Sequence, residues 1–185
     1  MTCRRRSSRP RCGFTLIELV STIVVLGALG TVASGIILTA TDGYIAAATR
    51  AQLHTELSLA LDRGVRELRN IQLDTEAGEL APDIDAVEPT SLTWHTDCRL
   101  AVSGDALQLT IDGGEPGTLL TDVQSLEIRT YDENNDLLGE TLTGAACDPI
   151  RRVGLEVAIA RSGVSESLRT KVFLRSTMAG AGEGN

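Results

Sequence analysis

The sequence has few of the residues on which nucleic-acid-binding sites depend. Aromatic residues make up 3% of the 185 residues, and Lys171 is the only lysine. So few aromatic rings offer little surface on which the bases of a single strand can stack. The 17 basic residues are outnumbered by 25 acidic ones, and the formal net charge of −8 disfavours a protein that neutralises phosphates. These absences argue against a nucleic-acid partner.

Motifs for catalysis and metal binding are also missing. His54 and His95 are the only histidines, and the sequence contains no phosphate loop, dinucleotide fingerprint or paired-histidine motif. The His95-Thr96-Asp97 stretch is a candidate for an oriented imidazole, but no serine or cysteine nucleophile motif accompanies it. A histidine on a surface strand is the simpler interpretation. We therefore expect no enzymatic activity, no cofactor and no metal, and an exported enzyme is the weakest alternative.

The charges that are present are unevenly distributed. Residues 1–13 contain no acid and five arginines, Arg4, Arg5, Arg6, Arg9 and Arg11. From residue 14 onward, 12 basic residues face 25 acidic ones, a net charge of −13. Between Phe14 and Ala40 the only charged residue is Glu18, and a helix of this length crosses a hydrocarbon core of roughly 30 Å. The arginines ahead of the apolar run predict a cytoplasmic N-terminus and an exported remainder.

Three interpretations of the N-terminal segment differ in where the chain is cut. An ordinary secretory signal would be cut near residues 32–34. A lipoprotein signal fails because no apolar stretch precedes Cys12. A cut between Gly13 and Phe14 is the one interpretation that explains Glu18. A carboxylate inside an apolar helix costs about 2.5–3.5 kcal/mol on insertion scales, and a free amine on Phe14 would give it a partner.

The stretch Gly13-Phe14-Thr15-Leu16-Ile17-Glu18-Leu19 resembles the processing site of type IV prepilins and type II secretion pseudopilins. The resemblance implies that prepilin peptidase cuts after Gly13 and methylates the amine of Phe14, and that Glu18 pairs with the Phe14 amine of an adjacent subunit. The partners it implies are other minor pilins or pseudopilins, the major subunit, the inner-membrane assembly platform and membrane lipid. The expected location is the inner membrane, as a single-pass protein with an extracytoplasmic head, and then a pilus or pseudopilus.

The main alternative is a monomeric, single-span membrane protein whose β-rich head binds a ligand. Glu18 would then be a polar residue that lines a pore or a helix bundle. Gly27, Gly30 and Gly35 indicate close packing between helices in either case, because small residues let helices approach one another in a membrane. The type of filament system, whether adhesive pilus, secretion system or DNA-uptake pilus, is left open.

A second apolar pattern predicts that the helix continues to about residue 70. Apolar residues recur at intervals of three and four positions at Leu53, Leu57, Leu61, Val65 and Leu68. Three arginines, Arg63, Arg66 and Arg69, alternate with the acids Asp62 and Glu67. We interpret these charges as a solvated face of the helix rather than as a binding patch.

The remainder predicts a β-rich head. Residues 71–90 are acidic, contain two prolines and predict a loop. Short β-rich runs separated by turns then predict an antiparallel sheet lying on the helix. The candidate strands are 91–96, 99–102, 106–112, 118–121, 125–132, 137–142, 152–160 and 167–175.

The predicted fold class is therefore α+β and pilin-like. Its parts are a leader (1–13), a transmembrane or filament-core helix (14–40), an amphipathic continuation (41–70), a head (71–178) and a flexible tail (179–185). Residues 120–132 resemble the middle strands of J-type pseudopilins. Residues 43–69 are similar to the O-type minor pilin of mannose-sensitive haemagglutinin pili.

Four cysteines are present, of which Cys3 and Cys12 belong to the leader. Cys98 and Cys147 belong to the exported part, where an oxidising compartment favours a disulfide between them. Two separate buried thiols are the alternative. Two cysteines without clustered histidines do not make a structural zinc site.

The stretch Asp132–Asp136 begins like a calcium-binding loop. Leu137 stands where such a loop needs glycine, and no glutamate closes the loop. We therefore predict a hairpin turn, and a non-standard calcium site at Asp132–Asp136 stays open.

Overall fold

The computed structural model describes residues 15–74 and 81–175. One long N-terminal helix is followed by a head of antiparallel strands, which is the predicted α+β fold. The chain divides into two units, Met1–Ile45 and Ala46–Asn185. The described part of the first unit is almost entirely helix. The second unit contains the rest of that helix and all the described strands.

Helix α1 covers Leu16–Arg69, and its predicted first residue, Phe14, lies outside the described residues. Proline, which would interrupt the backbone hydrogen bonds, does not occur within it. In the first unit every described residue of α1 is exposed. In the second unit α1 buries one stripe, made of Leu53, Leu57, Ala60, Leu61, Gly64 and Leu68. The predicted apolar stripe is thus confirmed, with Val65 half-buried at its margin.

Nine strands form two antiparallel sheets in the described part of the chain. The strands are β1 Ile84–Glu88, β2 Ser91–Trp94, β3 Cys98–Ser103, β4 Ala106–Thr110, β5 Gly117–Leu120, β6 Val123–Tyr131, β7 Leu142–Thr143, β8 Arg152–Arg161 and β9 Val164–Phe173. One sheet has the order β5-β4-β3-β2-β1-β7, and the other has the order β6-β8-β9. A 3-10 helix, Gly144–Cys147, follows β7.

The buried stripe of α1 and the inner faces of both sheets form one hydrophobic core. The contact with the larger sheet is close at Gly64, where an added Cβ would lie 3.9 Å from the Cδ2 atom of Leu100 on β3. The smaller sheet contributes the alternate residues of β8, which include Val153, Leu155 and Ile159. The burial of apolar area on both sheets stabilises this half of the helix, because apolar area removed from water contributes roughly 25 cal/mol per Å².

Two of the predicted segments are wrong. Part of the predicted loop 71–90 is strand β1, because Ile84 and Val87 turn into the core while the acidic residues near them stay half-buried or exposed. The predicted strand 137–142 does not form. Leu137 makes an isolated bridge with Tyr131, and β7 begins only at Leu142. The predicted tail, 179–185, lies outside the described residues.

Candidate functional site

Glu18 lies in the first turn of α1, in the apolar and exposed first unit. Its amide donates a hydrogen bond of 3.1 Å to the carbonyl oxygen of Thr15. Within residues 15–74 and 81–175, the carboxylate has one partner, the Thr15 hydroxyl at 3.5 Å. A negative charge near a helix N-terminus is favourable, so the position suits a carboxylate while leaving most of its hydrogen-bonding capacity unused.

The serine and threonine hydroxyls farther along this part of α1 are satisfied by the helix itself. Each of them donates, at about 3 Å, to a carbonyl oxygen three or four residues earlier. These residues are Ser21, Thr22, Thr31, Ser34, Thr39 and Thr41. Buried polar groups are costly mainly when they lack hydrogen bonds. Between residues 15 and 40, Glu18 is the only charged side chain, and it is the one that most needs a partner from another molecule.

Of the other residues predicted for processing and packing, the structure describes only the three glycines of the helix. Gly13 and Phe14 lie outside the described residues. A Cβ added at Gly27, Gly30 or Gly35 would meet no atom within 4 Å. These glycines leave the helix surface open, and their use in packing against another helix stays a prediction.

The α1 helix is long and apolar enough to cross a membrane once. The most apolar part of the helix is exposed throughout. An apolar helix that stays exposed needs an apolar environment, which is lipid or the surface of other apolar helices.

The structure does not contain the predicted disulfide. Both thiols are free and buried. Cys98 begins β3, whereas Cys147 ends the 3-10 helix that packs on β1. Strand β2 lies between β1 and β3, and a disulfide requires Cα atoms within about 7 Å of each other. Cys98 and Cys147 therefore belong to elements that are not neighbours in the strand order. Burial raises the pKa of the Cys147 thiol to about 11.

Residues Asp132–Asp136 form a turn, but the predicted hairpin is reduced to the isolated bridge between Tyr131 and Leu137. The Asp132 carboxylate accepts a hydrogen bond from the Asp136 amide at 2.8 Å, and Asn135 has a φ of 69°. Asparagine tolerates this left-handed conformation better than most residues. Among the described residues, no group of three or more His, Cys, Asp or Glu side chains is placed to hold a metal ion.

His95 lies in the turn between β2 and β3 rather than on a strand. Its Nδ1 atom contacts the Asp83 carboxylate, and this hydrogen bond, more than any other interaction, raises the pKa of His95. The next residue, Thr96, has a φ of 60°, and its amide donates to the Asp85 carboxylate at 2.7 Å. The carboxylates of Asp83 and Asp85 hold the turn in place. The contacts of His95 therefore stabilise the turn.

An ion-pair cluster between the helix and the smaller sheet was not predicted from the sequence. Arg161, at the end of β8, donates to Glu56 of α1 at 3.1 Å and to Asp122 at 2.8 Å. These residues lie 105 and 39 positions from Arg161 in sequence, and no local pattern indicates that they meet. Hydrogen bonding to Arg161 is the largest cause of the lowered pKa of Glu56.

No protein-family model matches the chain, and no curated protein matches it. The resemblance to prepilins and pseudopilins therefore rests on the residues around Gly13, Phe14 and Glu18 themselves.

Proposed function

We propose that this protein is a minor pilin or pseudopilin. In this proposal, prepilin peptidase cuts between Gly13 and Phe14 and methylates Phe14. The subunit then enters a type IV pilus or a secretion pseudopilus, at or near the tip or as an initiator of assembly. The observation that carries the proposal is the position of Glu18, a single charge in the first turn of an apolar, exposed helix that follows a Gly-Phe junction.

The physical argument concerns where the Glu18 charge finds a partner. Insertion of a carboxylate at the centre of a bilayer costs about 2.5–3.5 kcal/mol. The hydroxyl of Thr15, at 3.5 Å, compensates little of this cost. A positively charged amine at Phe14 of a neighbouring subunit would neutralise it inside the same apolar layer. Neighbouring subunits would be aligned by this pair, because a displaced subunit leaves two unpaired charges in lipid.

The proposed location follows from the same residues. The arginines of residues 1–13 favour a cytoplasmic N-terminus before cleavage. The head would then be exported, and the chain would cross the inner membrane once before assembly. Its partners would be the peptidase, the assembly platform, the major subunit and other minor subunits. The role is structural, without catalysis.

The alternative is a single-span membrane protein whose exported head binds a ligand. One observation favours it: a cavity of about 370 Å³ between the end of α1 and the end of β9, lined by arginines. The two proposals differ in what they require of the N-terminus, because only a filament subunit needs a free amine on Phe14.

The first test is the mass of the N-terminal peptide of the protein purified from its native membrane. The proposal requires the chain to begin at N-methylated Phe14. Gly13→Ala should slow this cut, because a side chain then lies beside the scissile bond. A chain that keeps residues 1–13, or that begins after residue 30, contradicts the proposal.

The second test separates a filament subunit from a lone anchor. Glu18→Val removes the charge and its insertion cost, so the amount in the membrane should not fall. Incorporation into sheared filaments, or co-purification with other minor subunits, should be lost, because removal of one member of a buried ion pair costs about 3–5 kcal/mol.

Thr22→Val is the matched control, since it also replaces a polar side chain with an apolar one in the same region of α1. The Thr22 hydroxyl bonds only to helix carbonyl oxygens among the described residues, so incorporation should be normal. Normal incorporation of Glu18→Val would show that Glu18 is a tolerated polar residue. A subunit at the very tip has no subunit ahead of it, so Glu18→Val should reduce incorporation less there than in the shaft.

A further inference from the structure

Most arginines of the described chain have a partner. Some pair with carboxylates, as Arg50 does with Glu166 and Arg63 does with Glu67. Others donate to carbonyl oxygens or to a tyrosine hydroxyl. The side chains of four arginines make no hydrogen bond, ion pair or ring contact within residues 15–74 and 81–175, namely those of Arg66, Arg69, Arg99 and Arg175. Arginine side chains without a partner among these residues are unexpected in a chain with eight more acidic than basic residues.

Three of these four arginines line one cavity. Arg66 and Arg69 come from the last turn of α1, and Arg175 comes from the segment after β9. The cavity has a volume of about 370 Å³ and also has Asn70, Thr170 and Asp62 in its wall. The sequence predicts that Arg63, Arg66 and Arg69 share one solvated face of the helix. The structure separates them, because Arg63 is paired with Glu67 whereas the other two face this cavity with Arg175.

The cavity has the chemistry of a carboxylate-binding site. A guanidinium group is planar and presents several N–H donors that match both oxygens of a carboxylate. Among the described residues of the wall, three such groups face one carboxylate, Asp62, which leaves a net positive lining. Asn70 and Thr170 add neutral groups that donate and accept hydrogen bonds. We propose that this cavity binds an acidic peptide segment of a partner protein, with two or three carboxylates placed on Arg66, Arg69 and Arg175.

The size and the composition of the cavity favour a peptide over a free anion. Its volume lies in the range of pockets that hold ligands of many atoms, so a single phosphate would leave most of it empty. The three guanidinium groups come from two separate segments of the chain. A peptide with several acidic residues can place one carboxylate on each guanidinium group. Asp62 would repel a compact, multiply charged anion, whereas it can accept a hydrogen bond from a peptide amide. The inference holds whether or not the chain assembles into a filament.

The test uses the full chain in a non-ionic detergent and a fluorescein-labelled hexaglutamate peptide, measured by fluorescence anisotropy at low ionic strength. Binding should be saturable and should weaken with added salt, because exposed charges are screened. Arg66→Gln, Arg69→Gln and Arg175→Gln should each weaken binding about fivefold, and the triple variant about a hundredfold. Asp62→Asn should strengthen binding, since it removes the one carboxylate among the described residues of the cavity wall.

Arg99→Gln is the matched control. It changes the net charge by the same amount and also removes an unpaired arginine, but Arg99 lies on β3 and is not part of the cavity wall. Its affinity should equal that of the unaltered chain, and labelled hexaglutamine should not bind. The cavity arginines are exposed, so every variant should melt at the temperature of the unaltered protein.

Three results would overturn the inference. Equal losses from Arg99→Gln and from the cavity variants would mean that only net charge matters. Displacement of the peptide by inorganic phosphate, beyond that caused by chloride at matched ionic strength, would assign the cavity to a free anion. A weaker affinity in Asp62→Asn would mean that Asp62 does not oppose the peptide.

Discussion

The two parts of helix α1 differ in how similar residues behave. Leu29, in the first unit, is 61% exposed, whereas Leu57, in the second unit, is 0% exposed. The residues around Leu29 are apolar on all sides of the helix, whereas those around Leu57 confine apolar side chains to one stripe. A stripe packs on a single core, and a helix that is apolar all round needs an apolar environment on every side. Whether a leucine of α1 is buried therefore depends on the pattern of the residues around it more than on the residue type.

The largest expected effect comes from truncating a buried residue of the stripe. Leu57→Ala should lower the free energy of unfolding of the head by about 2–5 kcal/mol, because it removes apolar contact and leaves a cavity. The matched variant, Leu29→Ala, should leave that free energy unchanged. Urea unfolding of the full chain in detergent, followed by the fluorescence of Trp94, measures both. Equal losses in the two variants would mean that the two parts of α1 are stabilised in the same way.

The periodic features of the sequence predicted the fold well. The stripe from Leu53 to Leu68 is buried because its spacing matches the turn of a helix. Alternation predicted β6 and β8, the paired strands of the smaller sheet, to within a residue or two at most ends. Both predictions depend on a repeat of apolar residues that is visible within a short stretch of the sequence.

The features that depend on distant residues were not predictable in the same way. Strand β1 is only five residues long and lies in an acidic, proline-containing segment, so it has little pattern of its own. It forms because it pairs with β2 and β7. The Arg161 cluster and the arginine cavity bring together the helix and strands far along the chain. The pairing of Cys98 with Cys147 stays a prediction made from the compartment alone, and both thiols are free in the structure.

A smaller effect is expected from the ion pairs that link the helix to the smaller sheet. Arg161→Met removes the contacts with Glu56 and Asp122 and should destabilise the head less than Leu57→Ala does, because these groups are partly exposed. Arg161 lowers the pKa of Glu56 below its ordinary value of 4.5. The stabilisation is therefore complete above pH 4.5 and is lost as the pH falls through the lowered pKa.

The pH dependence gives this prediction its measurement. The difference in unfolding midpoint between Arg161→Met and the unaltered chain should be constant near neutral pH and should shrink in acid. Arg129→Met is the control, because it removes an exposed pair with Glu127 inside one strand, at 2.6 Å, without linking the helix to a sheet. A loss from Arg129→Met as large as that from Arg161→Met would mean that the link to the helix adds nothing.

A still smaller effect, with the opposite dependence on pH, is expected at the turn between β2 and β3. The hydrogen bond between the side chains of His95 and Asp83 raises the pKa of His95 above 6.5. The stabilisation is complete below pH 6.5 and is lost as the pH rises through the raised pKa. His95→Asn should therefore lower the unfolding midpoint in mildly acidic buffer and leave it unchanged in alkaline buffer.

Asparagine is the suitable replacement because His95 has a φ of 52°, a conformation that asparagine tolerates. His54→Asn is the control. Its contact with Glu166 is longer, at 3.5 Å, and both side chains belong to other elements of the fold. A loss from His95→Asn that is independent of pH would assign the effect to the geometry of the turn rather than to the charge.

The smallest expected effect is that of a reductant, which should not change the unfolding midpoint at all. A disulfide that closes a loop of about 50 residues would contribute about 4 kcal/mol in the chain-entropy model, whereas two free thiols contribute nothing that a reductant can remove. Cys98 and Cys147 are both buried, so alkylation of the folded head should be slow at both positions. After denaturation without reductant, mass spectrometry should find both thiols alkylated. A linked peptide pair, or a midpoint that falls on reduction, would mean that these two cysteines are joined in the protein.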